Sequence, residues 1–69
     1  MRLYIRGAEK LQSIEQTLLK TIAAEIGVRV HEGGNVLTCE FDSYRQEVEL
    51  MLLLNDFPVS WSPHDWRSN

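Results

Sequence analysis

Hydrophobic and polar positions change period several times along the chain. In residues 2–6, Leu3 and Ile5 fall on one side and Arg2, Tyr4 and Arg6 on the other, the period of two expected of a half-buried strand. From Ala8 the period lengthens. Leu11, Ile14, Leu18, Ile22 and Ile26 recur at three and four, with Leu19 on their flank, and predict an amphipathic helix. Gly7 suits its entry, and Gly27 stands where a left-handed C-terminal cap belongs. Glu15 and Glu25 intrude near the edges of the stripe. Val28 to His31 and Val36 to Phe41 alternate again on either side of the turn cluster Gly33-Gly34-Asn35, which predicts a hairpin. Leu37, Cys39 and Phe41 are expected to face the core, and Val36, Thr38 and Glu40 to face away.

Ser43 with Gln46 three residues later fits a capping box, so a second helix should start there and run to about Asn55. Phe57-Pro58 stops it, because the residue before proline disfavours the α region. This helix carries two apolar series. Tyr44, Val48, Met51, Leu52 and Asn55 form one stripe, taken as the core-facing one. Leu50, Leu53, Leu54 and Phe57 form another at i, i+3, i+4 and i+7, which is either covered by the first helix and the returning tail, through Trp61 or Trp66, or a partner surface, with Leu50 and Leu53 then the least buried. Val59 to Ser62 alternates once more as a short last strand. Pro63 ends it, leaving residues 63–69 as a polar tail that carries Trp66 and Arg67.

The resulting order, β-α-β-β-α-β, predicts an α+β, two-layer ferredoxin-like domain over residues 1–69. Right-handed crossovers put both helices on one face of an antiparallel sheet. The other face would carry Arg2, Tyr4, Arg6, Arg29 and His31, with Thr38 and Glu40.

Composition narrows the function. The 69 residues are 43% hydrophobic and 25% charged, which suits a folded domain. The longest apolar run, Leu50 to Leu54, is far short of the roughly 20 residues that span a bilayer. The first residues lack the apolar segment of a secretory signal. A lone cysteine makes no internal disulfide, so a cytoplasmic location is expected. The formal net charge of −3 sits mostly in the second half, where six acids face Arg45 and Arg67 alone. An acidic chain argues against bulk binding to nucleic acid but leaves room for a local basic patch.

Phosphate-loop, dinucleotide, CxxC, HExxH and GxSxG patterns are all missing. Gly33-Gly34 joins two strands and opens no helix, so it reads as a turn. His31 is expected on the solvent face of a strand. Ser62, His64 and Asp65 crowd an extended tail and make no triad. Cys39 is expected in the core. No catalysis, metal or cofactor is therefore expected.

The favoured function is a small protein-binding module of inhibitor, antitoxin or adaptor type, such as phages and mobile elements encode. It would act on another protein or on itself as a homodimer, through Leu50, Leu53, Leu54, Phe57, Trp66 and Arg67. One alternative is RNA or single-strand binding on the open sheet face by Arg2, Tyr4, Arg6, Arg29 and His31. Another is a small ferredoxin-like nuclease using His31.

Overall fold

In the computed structural model, which describes residues 1–65, four strands form one antiparallel sheet in the order β2-β3-β1-β4. Strand β1 is Arg2–Arg6, β2 Arg29–Gly33, β3 Val36–Glu40 and β4 Ser60–Ser62. Helix α1 spans Ser13–Ile26 and α2 Tyr44–Leu54. The element order and sheet are those of a ferredoxin-like fold.

The alternation in β1 and β3 sets their pairing, since a one-residue slip would turn every core side chain to solvent. Leu3 lies opposite Cys39 and Ile5 opposite Leu37. The first residue extends the ladder, with the Met1 amine donating to the Phe41 carbonyl and the Phe41 N–H to the Met1 carbonyl, both at 3.0 Å. Leu3, Ile5, Cys39 and Phe41 are buried against both helices. The β2–β3 hairpin turns on Gly34 and Asn35, with Gly34 at φ +61°. Val36, expected on the open face, is instead buried at the hairpin end.

Helix α1 starts later than the periodicity suggests. A 3-10 turn over Ala8–Lys10 comes first, and Gln12 begins the helix. Glu15, an intruder in the sequence pattern, has a reason here: its carboxylate accepts the Gln12 N–H at 3.0 Å. Gly27 caps the far end at φ +94°. Its N–H donates to the Ala24 carbonyl and the N–H of Val28 to the Ala23 carbonyl, as a left-handed cap requires.

Two helix orientations differ from expectation. The core face of α1 is centred on Leu19 and Ala23, both buried, while Ile14 and Leu18 are exposed. Leu11 lies before the helix, so it could not fix the helix's phase. The small Ala23 lets α1 approach the sheet where a larger stripe residue would hold it off.

In α2 the expected faces are exchanged. Leu50 and Leu54 are fully buried, and Leu53 and Phe57 are half-buried against the same core. Tyr44, Val48, Met51 and Leu52 face outward. Burying three leucines and a phenylalanine removes more apolar surface from water than burying a stripe that includes a tyrosine and an asparagine. Gln46 fixes the rotation. It shares the Leu50 side of the helix, and its Nε2 donates to the Ile26 and Gly27 carbonyls at the end of α1, each at 3.2 Å. Its Oε1 accepts the N–H groups of Asp42 at 2.8 Å and Ser43 at 3.0 Å.

Candidate functional site

The open sheet face follows its expected alternation, and the strand register ranks its side chains in rows. Arg29, Glu40 and Arg2 form one cross-strand row, and His31, Thr38, Tyr4 and Ser62 the next. Arg6 lies opposite Val36 and Ser60. The basic groups meet carboxylates at once. Glu40 lies 3.0 Å from His31 Nε2 and 3.8 Å from Arg2 Nε. Arg29 grips Asp42 with two hydrogen bonds, of 3.1 and 3.2 Å.

These contacts also shift titrations. The hydrogen bond and charge of Arg29 hold the Asp42 carboxyl below its ordinary value, and Asp42 raises Arg29 in turn. Arg2 is raised, first by its hydrogen bond with Tyr4 and then by Glu40. The face therefore brings the five expected residues together with part of their charge already taken up. Glu40 was foreseen there; Asp42 was not, because it follows the strand and reaches back to it.

Cys39 is buried in the core, and burial pushes its thiol up to about 11, so little thiolate exists at neutral pH. The His64 N–H donates to Ser62 Oγ at 3.0 Å, a local turn within the tail. Among the described residues no three His, Cys, Asp or Glu side chains gather as a metal site would need. A cleft of about 100 Å³ lies between α1 and the hairpin, lined by Leu19, Lys20, Glu32, Asn35 and Val36 among others. Lys20 and Glu32 form an ion pair beside it.

The second surface is the outer side of the helical layer. Tyr44 is 72% exposed, Leu52 63%, Val48 38% and Met51 37%, all on one side of α2. On α1, Ile14 is 75% and Leu18 50% exposed. Apart from Met1, every large hydrophobic residue left exposed among the described residues lies on these two helices. Of the residues expected to meet a partner, Leu50 and Leu54 are sealed in the core, Leu53 and Phe57 pack against it, and Trp66 and Arg67 lie outside the described residues. Burial thus reverses the expected sides of α2, with Leu50 and Leu54 inside and Tyr44, Val48, Met51 and Leu52 outside. Tyr44 and Asn55 on the supposed core stripe were the available signal, since an interior stripe seldom carries both.

Family models, curated proteins and solved structures all return no match to this chain. Among the described residues no helix is long and apolar enough to cross a membrane.

Proposed function

We infer that this protein is a non-enzymatic binding module that works by contact with another protein through the outer face of its helices. The exposure of Tyr44, Val48, Met51 and Leu52 as one continuous side of α2 carries the reading. A domain this small draws its stability from few apolar side chains, and leaving Tyr44 and Leu52 largely in water, with Val48 and Met51 over a third exposed beside them, forgoes burial that a partner would restore. The acidic second half suits an inhibitor, antitoxin or adaptor that meets a basic groove. A single buried thiol suits the reducing cytoplasm.

The sheet face supports nucleic-acid binding less well. Glu40 and Asp42 sit among its cations, where phosphates would have to displace them. Nuclease chemistry at His31 finds no cluster of metal-ligating side chains among the described residues, and its ring already meets Glu40.

The test is affinity capture from extracts of the encoding organism with the wild type and Leu52→Glu in parallel, alongside light scattering of both. A protein held by the wild type and released by the variant, or self-association lost in the variant, supports the reading. Identical behaviour of the two, with circular dichroism showing both folded, overturns it. RNA binding with a steep salt dependence that survives Leu52→Glu would move the function to the sheet.

A further inference from the structure

The exposed side of α2 has a pattern that goes beyond being apolar. Tyr44, Val48 and Leu52 step by four residues, about 40° per step, and so form one of the ridges by which helices pack. Met51 widens the ridge on one flank. On the other flank stand Arg45 and Glu49, four residues apart and paired at 3.4 Å. The Arg45 side chain is 88% exposed, so this pair is available to other charges.

We propose that the occupant of this ridge is a second copy of the same chain, with the two α2 helices packed antiparallel about a two-fold axis at Val48. This rests on the helix-face reading above and names its partner. The axis sets Tyr44 of each copy against Leu52 of the other and Val48 against itself, so an uncharged ridge meets an uncharged ridge. It also brings Arg45 of each copy within a turn of Glu49 of the other, and symmetry makes two such pairs. About an axis parallel to the helices the two copies would instead carry Arg45 and Glu49 on opposite flanks, where the two pairs do not meet. The antiparallel pairing is therefore the one in which the Arg45–Glu49 pairs of the two copies meet, in an isologous contact such as most homodimers make. Ridges of this spacing cross at about −50°, which keeps the contact within the two turns around Val48. Ile14 and Leu18 of α1 supply only two apolar side chains and no complementary charge pair, so they are not needed for it.

Three measurements on the full chain test this together. Light scattering over a concentration series should give a dimer for the wild type and a monomer for Leu52→Glu. Val48→Cys should form a disulfide-linked dimer under mild oxidation, because the two-fold sets the new thiols face to face. Thr21→Cys, exposed on α1, should not, and the native Cys39 is buried and adds no background. Arg45→Glu should weaken the dimer about tenfold as two attractions become repulsions, and adding Glu49→Arg should restore it.

A wild type that stays monomeric throughout, or Val48→Cys that cross-links no faster than Thr21→Cys, overturns the proposal. If the wild type is monomeric yet Leu52→Glu loses a different protein, the helix-face reading survives and only the second copy is wrong. If it is monomeric and Leu52→Glu loses nothing, both fall.

Discussion

The open face of the sheet and the outer face of α2 are both solvent-facing, and they got there differently. On the sheet, alternation leaves no choice: turning Arg2, Tyr4 and Arg6 inward would expose Leu3 and Ile5. On α2, either of two apolar stripes could have been buried. The choice fell to contacts outside the helix, chiefly the bridge from Gln46 to the end of α1. A surface that is solvent-facing by alternation tends to be polar, and its charges find partners, as Arg29 finds Asp42. The stripe of α2 left over from a choice between two apolar faces is uncharged and exposed.

The sharpest way to break this comparison is to truncate one leucine from each side of α2. Leu50→Ala removes a fully buried side chain and should cost on the order of 2–5 kcal/mol, enough to unfold much of a domain this size. Leu52→Ala, two residues away but about 200° around the helix, should stay within about 0.5 kcal/mol at concentrations where the chain is monomeric. Urea denaturation measures both. Equal costs would mean that the two stripes are buried alike and that α2 has no free side.

Next in size is the bridge that chose between the stripes. Gln46→Glu keeps an acceptor for the Asp42 and Ser43 N–H groups but replaces the donor facing the Ile26 and Gly27 carbonyls with a charged oxygen. It should destabilise by about 1–3 kcal/mol at neutral pH, the cost of stranding partly buried acceptors beside a like dipole. Gly27→Val should lose at least about 1 kcal/mol for a related reason. The residue sits at φ +94°, and an added Cβ would come within 2.8 Å of Gln46 Nε2. If Gln46→Glu melts with the wild type, the bridge does not set the rotation of α2.

The limits of sequence reasoning follow the same line. Strand order, the hairpin, the Gly27 cap and the Ser43 start of α2 were all legible, because each depends on a period or on one residue's local conformational preference. The rotation of α2 was only partly legible: Tyr44 and Asn55 on one stripe pointed to it, but the hydrogen bonds that fix it join residues 19 and 20 apart and are made by a glutamine that reads locally as a cap. Helix α1 was misphased for a similar reason: Leu11 was counted on a helix that starts after it, and Ala23 was too small to register as an anchor. The candidate surface inherits the first misreading, since the leucines expected on it are in the core and the residues expected in the core are outside.

A chemical measurement sharpens the inner side. With its thiol pushed up to about 11 by burial, Cys39 should resist a thiol reagent at pH 8 while the chain is folded and react fully in denaturant. Fast labelling of the native protein would mean that the sheet's core face opens readily. The rate then reports local opening, so Leu50→Ala should label faster than Leu52→Ala in proportion to their difference in stability.

The smallest expected effect lies on the sheet face, in the pair of Arg29 and Asp42. Arg29 lowers the carboxyl's folded value below its unfolded one, so the folded state binds the proton less tightly. The pair's contribution is therefore fully present above the ordinary aspartate range, near pH 4, and fades as the pH falls through the lowered folded value. Both side chains are mostly in water, at 52% and 75% exposure, so the contribution is small and screened by salt. Urea midpoints of the wild type and Asp42→Asn should differ slightly at pH 7 and low salt, and converge as the pH drops below 4. High salt at pH 7 should bring them together as well. A gap that persists in acid would mean that Asp42 acts through its acceptor geometry at the start of α2. A large gap at pH 7 would mean that the sheet face, too, holds its side chains in place at a cost, as a surface built to bind would do.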